Sequence, residues 1–369
     1  DGATSVVGVV LASAEHHVEP TNHLDIDTIQ WLENWLNEFN GAVLFISHER
    51  EFIDNVATAV YELTVNGTKK YNGGYSSYKA QKDLELKTQL HLYEKQEQER
   101  KKLMETIQQY KQWYSKADSN ASVRDPYAQK KAAKQATNFK VLEKKLERFE
   151  ENRVEKPEEN RTISARFTSS EFSGRNMITL SNVSKSYDER VIIKDVNFHL
   201  QQGDRLAIIG PNGSGKTTLL RLMAGLIEPT EGTVNHNPQL RVGQFFQEIE
   251  HLNEENTILD EILQIPNMSQ SDARTILACF LFRRDDVYKR IGSLSMGEKC
   301  RVAFVKLYFS NANLLILDEP TNYFDIPSRE IIEDALLQYP GTIVIVAHDP
   351  YLLRKIANQV LYINDGEVN

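Results

Sequence analysis

Cysteine is nearly missing from this chain, whose 369 residues hold only Cys279 and Cys300. No C-x-x-C spacing occurs, which argues against a disulfide framework, iron–sulfur ligation and structural zinc. That usage fits a reducing, cytoplasmic compartment. Positive charge is also in deficit. The formal net charge is -9, so no global field draws the chain to nucleic acid, and any such binding must come from a local basic patch. Long apolar runs are missing too. The most apolar early run, Val6 to Ala14, is far short of the roughly 20 residues of a membrane span. Asp1 precedes it, so it lacks the basic flank of a signal peptide. If the chain works at a membrane, another subunit supplies the span. The length leaves room for two or three domains.

What is present is organised around Gly210-Pro211-Asn212-Gly213-Ser214-Gly215-Lys216-Thr217. The apolar run Leu206-Ala207-Ile208-Ile209 precedes it, and the helical pattern Thr218 to Ala224 follows. This is a G-x-x-x-x-G-K-[ST] phosphate loop in its strand–loop–helix context. Glycine lets the backbone curl so that successive N–H groups and the helix N-terminus point at phosphate. Lys216 supplies a mobile positive charge for the β- and γ-phosphates, and the Thr217 hydroxyl is placed to ligand Mg²⁺.

A repeat divides the chain. Glu19-Pro20-Thr21-Asn22-His23-Leu24-Asp25 returns as Glu319-Pro320-Thr321-Asn322-Tyr323-Phe324-Asp325. A helical stretch, a glycine and a β-branched run then recur, ending at His48 and His348, all at one offset of 300 residues. The pattern predicts a duplicated strand–helix–strand unit. Ahead of the second glutamate, Leu314 to Asp318 reads as a buried parallel strand. Asp318 would hold Mg²⁺ through water, and Glu319 would orient or deprotonate the attacking water in phosphoryl transfer. In the first copy Val18 replaces the aspartate, which predicts defective Mg²⁺ handling there. His16 and His17 are adjacent on a strand, so they point to opposite faces and make a poor metal pair.

Between the copies the composition changes. Over residues 78–152 glycine disappears, and Leu103, Ile107, Tyr110 and Tyr114 form one thin apolar stripe, with Phe139, Leu142, Leu146 and Phe149 forming another. The spacing predicts two amphipathic helices paired as an antiparallel hairpin, with a turn over 118–127. Near that turn lie Arg124, Lys130, Lys131 and Lys134 among aromatic Trp113 and Tyr127. Such a set suits RNA backbone contact and base stacking, although charge alone fits a solvated helical face equally well. The hairpin's position favours the first.

The expected domains are therefore 1–77, the C-terminal remnant of a first nucleotide domain; 78–152, the hairpin; 153–176, a polar linker; and 177–369, a complete second domain. The order of strands, loop and helices in the last suits an α/β fold, mainly parallel, with antiparallel and helical subdomains. Tyr187 is an aromatic in reach of an adenine ring, and equally an ordinary strand residue. Gln247 offers an amide oxygen to Mg²⁺ and γ-phosphate. Leu294-Ser295-Met296-Gly297-Glu298-Lys299 again places a serine and a glycine just before a helix.

Together these residues resemble the ATP-binding cassette. The resemblance makes 210–217 the Walker A loop, Gln247 the Q-loop, 294–298 an LSGGQ-like signature, Asp318-Glu319 the end of Walker B and His348 the switch histidine. It implies ATP on 210–218 with Tyr187 under adenine; Mg²⁺ on Thr217, Asp318 and Gln247; and catalysis by Glu319, His348 and Gln247. Ser295, Gly297 and Glu298 would act in trans. Met296 and Glu298 depart from the usual signature glycine and glutamine. The doubled Glu-Pro-Thr-Asn pattern around a charged hairpin resembles the ABC-F family of ribosome-associated ATPases, and Arg124 to Ala128, Glu155 to Pro157, Leu294 to Lys299 and Asn322 to Asp325 resemble its Vga/Vml-type antibiotic-resistance branch. That implies the ribosome as partner, through rRNA and tRNA at the exit site, with the hairpin tip displacing bound drug.

One feature of the family is absent. Cassettes hydrolyse ATP where the phosphate loop of one domain faces the signature of another, and this sequence has one of each, both in the second domain. A fragment of a longer protein is the favoured expectation. A head-to-tail dimer of second domains, an inactive product with an exposed first sheet, a transporter ATPase subunit and a coiled-coil ATPase acting on DNA are the alternatives.

Overall fold

The computed structural model describes residues 5–10, 15–18, 24, 26–64, 67–120, 126–157, 175–246 and 252–368, with the backbone alone at 5–10, 15–18, 26, 114, 116–120, 126–136, 138 and 139. Two compact units form, Asp1–Tyr78 with Asn160–Asn369, and Lys79–Glu159.

The chain begins with β1 (Ser5–Val10), β2 (Glu15–Val18), α1 (Ile26–Glu38), β3 (Val43–Ile46), α2 (Arg50–Val56), β4 (Ala59–Thr64) and β5 (Gly67–Asn72). Two long helices follow, α3 (Tyr75–Asn120) and α4 (Pro126–Glu151). Next come β6 (Asn176–Tyr187), β7 (Arg190–Gln201), β8 (Arg205–Ile209), α5 (Lys216–Met223), β9 (Glu231–His236) and β10 (Val242–Phe245). A helical stretch carries α6 (Ile258–Leu263), α7 (Gln270–Cys279) and α8 (Met296–Tyr308). The chain then makes β11 (Leu314–Asp318), α9 (Ile326–Gln338), β12 (Thr342–Val346), α10 (Pro350–Ile356), β13 (Gln359–Asn364) and β14 (Glu367–Val368).

β10, β11, β12, β8, β13 and β14 lie in that order in one sheet, parallel except for the final pair. β6, β7 and β9 make a separate antiparallel sheet of order β7-β6-β9. This is the mainly parallel α/β fold with an antiparallel subdomain that the motif order predicts. Its central strands are apolar throughout because both faces are covered, and period-two geometry sorts their side chains. Leu315, Leu317, Ile343 and Ile345 join the core shared with α6, α7 and α8. Leu314, Ile316, Val344 and Val346 join the core under α5 and the antiparallel sheet.

The repeat is visible in the elements. α1 and α9, α2 and α10, and β4 and β13 each begin at one offset of 300 residues. The first copy's sheet has the order β2-β3-β1-β4-β5. β1 stands between β3 and β4, in the slot that β8 fills between β12 and β13. It runs antiparallel to both neighbours, whereas β8 runs parallel to both of its own. That slot is thus filled by a reversed strand rather than left open. Phe45, Phe52, Ile53, Val60 and Tyr71 make this copy's core, and Ile326 from the second copy packs into it.

In the hairpin unit Leu103, Ile107, Tyr110, Leu142, Leu146 and Phe149 are half-buried, and the positions between them are mostly exposed. Arg100 Nε donates to Glu150 at 3.0 Å and Arg153 Nη2 to Glu97 at 2.7 Å, the pairing of antiparallel helices. α3 runs on through Asn120, past the expected start of the turn at 118, and α4 begins with Pro126, which suits a first helical position. No described helix is long and apolar enough to cross a membrane.

Candidate functional site

β8 ends at Ile209, and the loop to α5 rises from the edge of the sheet where β11 also ends. Gly210 has φ +152°, and a Cβ there would stand 2.1 Å from the carbonyl oxygen of Ile363, so only glycine fits. Gly215 caps α5 from the left-handed region at φ +104°. α5 is held down by Leu219, Leu220, Leu222 and Met223, all buried. Lys216 is buried as well. Its Nζ donates to the carbonyls of Gly210 and Pro211, both at 2.8 Å, and so spans the loop. Asn212 and Gly213 are exposed at the crest, and Pro211, Ser214 and Thr218 are half-buried.

Thr217 Oγ1 donates to Asp318 Oδ2 at 2.8 Å. Burial pushes the Asp318 carboxyl up, against the Thr217 hydrogen bond and the Lys216 charge. Glu319 follows with φ +49°, a conformation uncommon outside glycine, and its N–H donates to the Val346 carbonyl at 2.9 Å. Burial first and the neighbouring Asp318 charge second push its carboxyl up to about 8. The backbone N–H of His348 donates to that carboxylate, and His348 Nε2 stands 3.4 Å from Oε1. Two buried polar atoms here, Ser214 Oγ and Glu319 Oε1, take no hydrogen bond. Buried polar atoms are almost always satisfied, so each of these two is open to a water or ligand atom.

Phosphate loop, Asp318, Glu319 and His348 thus converge, while the signature residues are otherwise engaged. Ser295 Oγ accepts from the Glu298 N–H at 3.3 Å, and Glu298 Oε2 accepts from the Ser295 N–H at 2.9 Å, a capping box at the start of α8. Gly297 lies against the loop after β11, where a Cβ would meet the Tyr323 carbonyl at 2.5 Å. Met296 is exposed. Tyr187 ends β6 half exposed, and the Lys185 ammonium stands 5.2 Å from its ring centre.

Gln247 and Arg124 lie outside the described residues, as do the side chains of Tyr127, Lys130, Lys131 and Lys134, whose backbone belongs to α4. Trp113 is exposed on α3 and meets Tyr110 edge to face at 5.3 Å. The sequence reading missed Asp349 and Arg329. Asp349 caps α10 next to His348, and Arg329 Nε donates to the Phe324 carbonyl in the turn after Glu319. Asp349-Pro350 is a legible helix start; for Arg329 no local pattern exists.

Comparison with known proteins agrees with this geometry. Two family models described as ABC transporter match, one over residues 193–322 and the other over 61–167. ABC transporter F family member 5 of Arabidopsis thaliana is 33% identical over 352 residues, covering 94% of this chain and 48% of its own length. The ribosome protection protein VmlR of Bacillus subtilis is 32% identical over 354 residues, 95% of this chain and 64% of its own. The energy-dependent translational throttle protein EttA of Escherichia coli is 34% identical over 360 residues, 95% of this chain and 60% of its own. The chain spans about half the length of the first of these curated relatives. With its fold, its phosphate loop and relatives along nearly all of its length, the chain is similar to ATP-binding cassette proteins of the F family.

Proposed function

We propose that this chain binds ATP with Mg²⁺ in its second copy, hydrolyses it within a composite site, and acts on the ribosome. The observation that carries the nucleotide reading is the convergence of Lys216, the Thr217–Asp318 pair and the Glu319–His348 pair at one sheet edge. The loop amides and Lys216 would hold the β- and γ-phosphates, and Tyr187 would stack on the base. Thr217 and Asp318 bring two oxygens suited to Mg²⁺, a hard cation whose remaining ligands would be phosphate and water oxygens, with Gln247 the further candidate. Bound there, Mg²⁺ would neutralise charge developing on the phosphoryl oxygens. Glu319 would take a proton from the water that attacks the γ-phosphorus as the bond to the β–γ bridging oxygen breaks. His348 would steady the γ-phosphate, and Ser295, Gly297 and Glu298 would close on nucleotide from another domain.

The ribosome reading is supported by kinship with VmlR and EttA, whose names tie them to ribosome protection and translation. The finer reading is drug displacement by a resistance protein of the Vga/Vml type, with the basic and aromatic candidates Trp113, Arg124, Tyr127, Lys130, Lys131 and Lys134 contacting rRNA or tRNA. Co-sedimentation of the Glu319→Gln chain with ribosomes, with and without ATP, tests it. ATP-dependent sedimentation is the expected result. Absence of the chain from the ribosomal pellet under both conditions would overturn the ribosome assignment.

A further inference from the structure

Three consecutive residues of the first copy, Glu49, Arg50 and Glu51, directly follow His48, the counterpart of His348. Each is tied to a charged group of the second copy. Arg329 Nη1 donates to Glu49 Oε1 at 2.7 Å, and Arg354 Nη2 to Glu51 Oε2 at 2.6 Å. Between them, Arg50 donates to both oxygens of Glu333 and to Asp349 Oδ2, the last at 3.2 Å. Its guanidinium also lies over the Tyr351 ring, 4.0 Å from the centre. Arg50 and Glu333 are 2% and 0% exposed, whereas Arg354 is 67% exposed. Water therefore screens the outer pair and leaves the Arg50 cluster strongly coupled. Burial alone would lower the Arg50 pKa; Glu333 and Asp349 more than offset that and raise it.

Asp349 carries this coupling to the chemistry. Its Oδ1 accepts the N–H groups of Tyr351 at 2.8 Å and Leu352 at 3.2 Å, while its Oδ2 faces Arg50. The preceding residue is His348, whose N–H and Nε2 both address Glu319. Arg329 supplies a parallel tie, from the Phe324 carbonyl to Glu49, with Nη1 3.9 Å from Asp349. Arginine suits the Arg50 position because one planar fork serves two carboxylates while its face stacks on an aromatic ring; a lysine ammonium is a point charge and cannot do all three. At the equivalent place the second copy has Pro350, so the duplicated unit has diverged here.

We propose that Arg50 is a positioning residue for the switch: a first-copy guanidinium, bridging Glu333 on α9 and Asp349 at the head of α10, fixes the loop that presents His348 to Glu319. Its consequence for hydrolysis rests on the ATPase reading; its geometry does not. The first copy, in which Val18 stands where Asp318 stands in the second, thereby acts on the reacting copy as a brace.

Hydrogen–deuterium exchange on the full chain without nucleotide tests the brace. In Arg50→Lys the amides of His348, Asp349, Tyr351 and Leu352 are expected to exchange about tenfold faster, the loss of one charge-assisted hydrogen bond, while 206–223 keep their wild-type rates. The double variant Arg50→Met with Glu333→Gln leaves no stranded charge on Glu333 and is expected to give the same local rise, which keeps the test decisive if the lysine variant misfolds. Unchanged exchange at 348–352 in both variants overturns the proposal. So does a rise spread evenly over residues 43–78, which is what mere support of the first copy's core would give. ATP affinity, read by isothermal titration, is the separate arm and is expected to stay within about twofold in Arg50→Lys, since a positioning loss falls on turnover rather than on binding. Affinity lost in step with the exchange change counts against the proposal, whereas a wild-type chain that binds no ATP sinks the nucleotide reading and leaves the brace standing.

Discussion

Thr217 Oγ1 donates to Asp318 Oδ2 at 2.8 Å across 101 positions of sequence. The hydroxyl that opens α5 and the carboxylate that ends β11 meet because β12 alone separates β8 from β11 in the sheet. Lys216, one residue earlier, is held by the loop's own carbonyls, which phosphate oxygens would join or replace in the proposed nucleotide complex.

Lys216→Ala is therefore expected to weaken ATP binding by about tenfold to a hundredfold, the worth of a hydrogen bond to a charged group. Isothermal titration of the full chain reads this directly. Equal affinity in wild type and variant would remove the loop from the nucleotide assignment.

Glu319→Gln keeps the size of the side chain and removes its basicity. Phosphate release is expected to fall by about a hundredfold or more relative to the wild type in any assembly that hydrolyses ATP, with ATP affinity retained. A variant with undiminished turnover would show that another group accepts the proton.

Changing Lys130, Lys131 and Lys134 together to Gln should flatten the dependence of RNA affinity on salt. Three phosphate contacts on a single strand contribute about two units of slope in log K against log salt. Filter binding over a range of KCl concentrations measures it, and an unchanged slope would make these lysines a solvated helical face.

Burial pushes the Cys300 thiol up to about 11, from an ordinary value of about 8.5. The folded chain thus holds the Cys300 proton more tightly than the unfolded chain. The resulting stability is fully present below about pH 8.5 and is lost as pH rises through 11. Urea midpoints at pH 8 and pH 10.5 should fall further in the wild type than in Cys300→Ala. Equal falls would mean that the thiol does not titrate in this environment.

Much of the fold was legible because its signals are local or periodic. The strand–loop–helix grammar around Lys216 needs only a dozen consecutive residues, and the 300-residue offset from Glu19 to Glu319 and His48 to His348 requires only comparison of the chain with itself. The helix expected after each Glu-Pro-Thr-Asn pattern forms in both copies, over Ile26–Glu38 and Ile326–Gln338. The hairpin turn is narrower than the 118–127 that composition predicts. Asp118, Ser119 and Asn120 disfavour a helix weakly, and α3 continues through them.

Other features depend on neighbours remote in sequence. Ser295 and Glu298 look poised for a phosphate by spacing, yet S-x-x-E is also a capping box, and the fold uses it as one. The reversed strand Ser5–Val10 could not be anticipated, since an apolar run carries no sign of its direction in a sheet.

The phosphate loop, the carboxylate strand, the duplication and the charged hairpin are each written in composition or spacing along the chain. The burial of Arg50 of one copy against Glu333 and Asp349 of the other arises only in the folded molecule. An arginine between two glutamates reads as a surface charge. Its desolvation is offset only when the fold brings two carboxylates and an aromatic face to it, 283 and 299 positions away for the carboxylates.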